Sequence, residues 1–259
     1  MSSIHSSTDL KGVTTLTLSR PERHNALNRK FIDEFKASLD SVEGSTRVLI
    51  IAAEGDSFCA GGDIQWMRDS VNLTAEQNQA DAMALSNLLD TLNRFPAPVI
   101  ARVQGAALGG GAGLVCCCDI VVASEDAIFA FSEVRLGIIP ATISPYALSA
   151  IGARAARRYF LTGERFDALC AYRLGLVHDV CSSDNLNNRI KDILDRLLAS
   201  GSVAQKSCKR LIADIAAQPI TDSMREELGQ RLAEVRASDE GQEGLQAFLE
   251  KRKPSWQSS

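Results

Sequence analysis

Aromatic residues make up only 5% of the 259-residue chain, and its three histidines, His5, His24 and His178, lie far apart. Neither C-x-x-C nor H-E-x-x-H spacing occurs, so no local pattern supports a bound metal. No run approaches the roughly 18 apolar residues of a membrane span. The opening segment, residues 1–13, lacks the apolar stretch of a secretory signal, which makes a cytoplasmic location the expectation. A basic excess is missing too: 28 Lys and Arg face 32 Asp and Glu, for a net charge of −4. That balance is poorly suited to neutralising phosphates along a nucleic acid. No Gly-, Ser- or Pro-rich linker divides the chain, and its seven prolines are scattered.

What is present describes a folded protein with a sizeable core: 45% of residues are hydrophobic and 23% charged. The seven cysteines are odd in number, and Cys116, Cys117 and Cys118 are consecutive within the most apolar part of the chain. Buried free thiols fit this pattern better than bridges. Val13–Leu18 and Arg47–Ala52 read as short strands. Between them Ile32, Phe35, Leu39 and Val42 recur at helical spacing after a cap at Asn28, giving a βαβ start. Thr74 and Gln77 have capping-box spacing ahead of a helix carrying Met83, Leu85, Leu88, Leu89 and Leu92, which Pro96 stops. Strand-like Val99–Val103, a glycine cluster, a short apolar helix through Cys118 and strand-like Ile120–Ala123 follow. This alternation predicts an α/β body over residues 1–185. From residue 186 strand signals vanish. Leu186, Ile190, Ile193, Leu194 and Leu197 mark one amphipathic helix, and Met224, Leu228, Leu232 and Val235 another. The 186–259 region is therefore expected to be helical, packing on the body or on a neighbouring subunit.

Three segments can carry chemistry. Phe58-Cys-Ala-Gly-Gly-Asp63 follows a strand: it is either a turn capped by Asp63 or a loop whose amide near Gly62 faces a ligand oxygen. Gln104 to Gly113 holds three consecutive glycines between a strand and a helix. It has neither Walker nor G-x-G-x-x-G spacing, which leaves tight packing or a helix N-terminus suited to an oxyanion. Together the two segments could converge two backbone N–H groups on one carbonyl oxygen. Loss of one such donor typically costs about 3 kcal/mol of transition-state stabilisation. In Ser132 to Pro140 a carboxylate, Glu133, sits among apolar residues. It is either a proton carrier with a raised pKa or half of a Glu133–Arg135 surface pair. No G-x-S-x-G elbow occurs, and Cys59 has no histidine nearby in sequence to activate it.

Ser19-Arg-Pro-Glu-Arg-His-Asn-Ala-Leu-Asn28, Phe58 to Asp63, Gln104 to Gly111 and Glu133 to Pro140 resemble, in order and spacing, the enoyl-CoA hydratase/isomerase (crotonase) family. The likeness runs from about residue 10 to 251 and includes Tyr159 to Phe166 and Glu243 to Arg252. It implies a spiral of ββα turns with C-terminal helices that build trimers or dimers of trimers. It also implies an acyl-CoA thioester substrate, with coenzyme A entering as part of that substrate and no separate cofactor. Carried over by position, Gly62 and Gly110 supply the oxyanion-hole amides. Arg23, Ala26, Ala60, Asp63 and Ile64 line the coenzyme A channel, and Phe248 and Lys251 approach its nucleotide end, from the same subunit or from another. Typical hydratases hold water between two glutamates; here the first position is Gly113 and only Glu133 remains. Trp66 and Met67 line the acyl pocket or fill the core, and Arg135 pairs with a substrate carboxylate or enters a structural salt bridge. Ser132 to Tyr146 and Ile151 to Phe160 resemble bacterial methylglutaconyl-CoA and isohexenylglutaconyl-CoA hydratases, whose substrates carry a distal carboxylate. The alternatives are an enoyl-CoA isomerase with Glu133 as sole base, and a non-catalytic acyl-CoA- or RNA-binding member of the fold.

Overall fold

The structure, a computed structural model, describes residues 2–216 and 218–257. In chain order its elements are β1 (Ile4–Thr8), β2 (Val13–Leu18), α1 (Arg29–Val42), β3 (Val48–Ala53), α2 (Ile64–Ser70), α3 (Ala75–Asn93), β4 (Val99–Val103), β5 (Ala106–Leu108), α4 (Gly110–Cys116), β6 (Ile120–Ser124), β7 (Ile128–Ala130), α5 (Ser144–Thr162), β8 (Phe166–Asp167), α6 (Ala168–Leu174), β9 (Asp179–Cys181), α7 (Leu186–Leu198), α8 (Ser202–Ile215), α9 (Asp222–Ala237) and α10 (Asp239–Leu249). They fall into two compact units. One holds the chain up to Phe95 and Val99–Lys191; the other holds Pro96–Pro98 and the chain from Asp192 onward. The division falls inside α7, whereas the sequence reading placed it ahead of that helix.

In the first unit a six-stranded sheet runs β1-β2-β3-β4-β6-β9. β1 and β2 form an antiparallel pair, and every later neighbour is parallel. The expected βαβ start is present: β2 and β3 pair in parallel around α1, whose Asn28 cap accepts the Phe31 amide at 2.9 Å. Ile32, Phe35, Leu39 and Val42 are buried on the α1 face that meets this core, with Phe31 edge-on to Phe35 at 6.2 Å. The Thr74/Gln77 capping box closes the start of α3. A parallel sheet buried on both faces reads as continuous apolar runs, and Val48–Ile51 and Val99–Ala101 are fully covered accordingly.

A second, three-stranded sheet, β5-β7-β8, was not legible in the sequence. Its strands have two or three residues, too few to show alternation, and β5 lies inside the glycine segment. β1 also escaped notice because only Ile4 of its five residues is buried. The helix after the glycines ends at Cys116, earlier than expected: the Cys117 and Cys118 amides close back on Gly113, Leu114 and Val115 in a terminal turn. In the second unit α8 starts at a cap, Gly201, with no side chain to offer. The Glu240 carboxylate of α10 replaces it, accepting the amides of Val203 at 3.0 Å and Ala204 at 2.8 Å. Among the described residues no helix is long and apolar enough to cross a membrane.

Candidate active site

The 58–62 loop and the 104–110 segment lie side by side because they are hydrogen-bonded to each other. Phe58 N–H donates to Gln104 O, Cys59 N–H to Ala106 O, and Leu108 N–H to Cys59 O, each at 2.9 Å. An isolated parallel bridge joins Cys59 to Ala107. The approach is so close that a Cβ on Gly111 would stand 2.2 Å from the Cys59 carbonyl oxygen, so residue 111 has to be glycine.

The Ser19–Asn28 segment braces this pair from the other side. Leu27 N–H donates to Gly61 O at 2.7 Å, Asp63 N–H to Leu27 O at 2.8 Å, and Ala60 N–H to His24 O at 3.0 Å. Asn25 is buried in the left-handed region, with φ 53°, and uses its whole side-chain amide. Its Oδ1 accepts from Arg20 N–H, and its Nδ2 donates to Glu54 O and Ser57 O. Asp63 caps α2 through the Gln65 amide at 2.9 Å and pairs with the largely buried Arg20 at 2.9 Å. Burial alone would raise the Asp63 carboxyl, but the Arg20 guanidinium and the Gln65 amide together hold it below its ordinary range.

These contacts leave Gly62 and Gly110 on the wall of one cavity of about 570 Å³. The amides of Gly110, Gly111 and Ala112 precede the first helical hydrogen bond of α4, Gly113 N–H to Gly109 O, and so have no intrahelical acceptor. Glu133 lines the same cavity from a short 3-10 turn after β7. Its Oε2 is buried without a hydrogen-bond partner among the described residues, and its Oε1 lies 3.2 Å from where a Gly109 Cβ would be. Burial pushes the carboxyl above the usual carboxylate range, opposed only by its own backbone amide. The arrangement can polarise a thioester carbonyl with backbone donors while an adjacent, poorly solvated carboxylate moves a proton.

Of the residues singled out from the sequence, Ala60, Gly62, Trp66, Met67, Gly110, Glu133 and Arg135 line this cavity. Trp66 is tied to α3 by its indole N–H, which donates to Asp81 at 2.8 Å, and Asp81 in turn meets Arg29 at 3.3 Å. Arg23, Ala26, Asp63, Ile64 and Gly113 lie off the cavity wall. Arg23 and Ile64 are exposed, Ala26 is buried, and Asp63 is occupied as cap and ion-pair partner. Phe248, 80% exposed, and Lys251 belong to the second unit. A Glu133–Arg135 surface pair does not form; the Arg135 guanidinium instead donates to Thr162 O at 3.5 Å. Cys59 is fully buried and its thiol is pushed up to about 12, chiefly by that burial, so it is no nucleophile.

The structure adds cavity residues to which sequence reasoning gave no place in the site: Arg165, Leu27 and Leu85. Arg165 stood inside the quoted Tyr159–Phe166 string, but nothing in that string said which way it faces.

A family model described as enoyl-CoA hydratase/isomerase matches residues 8–259. An enoyl-CoA hydratase from Shewanella pealeana ATCC 700345 superposes with a TM-score of 0.95 at 41% identity, covering 98% of this chain and 96% of the other. Pseudomonas aeruginosa AtuE does so with a TM-score of 0.94 at 35% identity, covering 98% and 99%. The crotonyl-CoA hydratase of Syntrophomonas wolfei is 33% identical over 248 residues, 94% of each chain. The chain belongs to the enoyl-CoA hydratase/isomerase family and has the crotonase fold. It is an enzyme of that class, and Gly62, Gly110 and Glu133 line one cavity in it.

Proposed function

We propose that the enzyme adds water across the α,β double bond of a branched glutaconyl-type enoyl-CoA, such as 3-methylglutaconyl-CoA or isohexenylglutaconyl-CoA. The observation that carries this reading is the pair Arg135 and Arg165. Both line the Glu133 cavity, and neither forms a salt bridge among the described residues. Two exposed arginines on the lining of a largely apolar cavity are suited to a carboxylate at the far end of an acyl group. The Gly62 and Gly110 amides then hold the thioester oxygen as negative charge develops on it. Glu133 passes a proton between the incoming water and the α-carbon, and the distal carboxylate on the arginines orients the chain. Trp66 and Met67 form one side of the acyl pocket, and the exposed Leu136, Ile138 and Ile139 form another. In solution we expect a trimer or a dimer of trimers, which sedimentation velocity reads directly.

The single carboxylate also favours a second reading, migration of a double bond, because shuttling one proton between two carbons under an oxyanion hole needs only one base. Turnover of 3-methylglutaconyl-CoA, isohexenylglutaconyl-CoA and crotonyl-CoA, followed by mass spectrometry, separates the two. Gain of one water on a glutaconyl thioester, lost in Glu133→Gln, supports hydration; a shifted double bond at unchanged mass supports isomerisation. Arg165→Met is expected to raise KM for the glutaconyl substrate by about 10- to 100-fold while leaving crotonyl-CoA nearly untouched. An equal loss on both substrates would remove the arginines from substrate recognition.

A further inference from the structure

Gly109, the residue that caps α4, and Gly113 on its first turn are joined by the Gly113 N–H to Gly109 O bond at 3.0 Å. A Cβ added at Gly109 would stand 3.2 Å from the Glu133 carboxyl. At Gly113 the neighbour is different: an added Cβ would stand 2.3 Å from Ile143 Cγ2 and 3.0 Å from Ile143 Cβ. Ile143 is 1% exposed, occupies the cap position of α5, and lines the same cavity as Glu133.

We propose that Ile143 fixes the enzyme to one-carboxylate chemistry by filling the space that a second acidic side chain, projecting from position 113 beside Glu133, would need. A β-branched side chain is stiff at χ1, and Ile143 is buried, so swinging aside for a newcomer is costly. Two facing carboxylates can divide the work of holding a water and moving its proton, as paired acids with separated pKa values do elsewhere. With Ile143 in place Glu133 works alone. The inference rests on the hydratase reading for its second readout but not for its first.

The first readout is thermal midpoint. Gly113→Ala is expected to melt roughly 5 °C or more below the parent, because the nearest contact is a branched, buried side chain. Ile143→Ala is destabilised by the cavity it leaves. The double variant G113A/I143A is expected to melt higher than the sum of the two losses allows, since the new methyl enters space the old one vacated. The second readout is hydration of crotonyl-CoA, which carries no distal carboxylate: G113E/I143A is expected to exceed the parent by at least tenfold. Additive midpoints, a Gly113→Ala variant as stable as the parent, or a double variant no faster on crotonyl-CoA would each overturn the proposal. Failure of the glutaconyl reading shows itself differently, as a parent enzyme inert toward glutaconyl thioesters with the midpoint coupling intact.

Discussion

Glu133 carries two opposite consequences of one environment. Burial raises its carboxyl pKa, so the deprotonated form that accepts a proton is lost at a higher pH than for an ordinary glutamate. The acid limb of kcat/KM is therefore expected above the usual carboxylate range, and Glu133→Gln is expected to cut turnover by about 100- to 10,000-fold. For stability the sign reverses. A raised folded-state pKa contributes stability below the unfolded value and loses it as pH rises through the folded one, so the buried anion is a burden at neutral pH. Glu133→Gln should accordingly melt above the parent at neutral pH, with the gap closing under acid. Equal melting curves at all pH values would contradict the burial argument. Cys59 makes a simpler case: with its thiol pushed up to about 12 it should escape alkylation in the native enzyme, while the exposed Cys208 reacts, as peptide mass mapping will show. At this scale the sequence pointed to Glu133 because a lone carboxylate in an apolar run is conspicuous. It could not point to Arg165, because neighbours along the chain do not encode which wall a side chain faces.

Among the elements, the short ones decide the site. The hole segments tolerate side chains very unequally. Gly111→Ala drives a methyl into the Cys59 carbonyl oxygen and is expected to cost about 3 kcal/mol of stability and to part the two segments. Gly62→Ala meets only Met67, at an ordinary 3.5 Å, and should stay within about 1 kcal/mol of the parent. Chemical denaturation of the two variants side by side checks the contrast. α1 and α3 were legible because caps and apolar spacing agree in them: Asn28 before α1 and the Thr74/Gln77 box before α3 both stand where expected. α5, α8 and α10 passed unread, α5 because its cap position, Ile143, offers no side-chain hydrogen bond. α8 has no capping side chain of its own and borrows Glu240, and α10 begins only one residue after α9 ends, so no loop announced it.

Over the whole molecule, acid resistance depends on carboxylates shifted the other way. Asp63, in the first unit, is held below its ordinary range by Arg20 and the Gln65 amide once burial has been overcome. Glu243, in the second, is brought to about 2, first by hydrogen bonds from Arg252 and then by the Ser255 amide. Depressed pKa values give stability that is complete above the unfolded value and drains away as pH falls through the folded one. The parent should thus lose stability steadily as pH falls from the ordinary carboxylate range toward about 2. Asp63→Asn should start lower and show a shallower slope, readable by thermal melts across a pH series. The spiral architecture followed from resemblance and not from periodicity, because a sheet of three-residue strands leaves no periodic trace.

The bridge between Cys59 and Ala107 has a consequence for how such an enzyme can vary. Because the two amide-bearing loops are adjacent rungs of one hydrogen-bonded ladder, the gap between them is gauged by strand spacing, about 4.8 Å. That gauge is indifferent to whatever lines the rest of the cavity. The acyl wall from Leu136 to Ile143 can be recut for a longer, shorter or more polar chain while the thioester grip keeps its calibration.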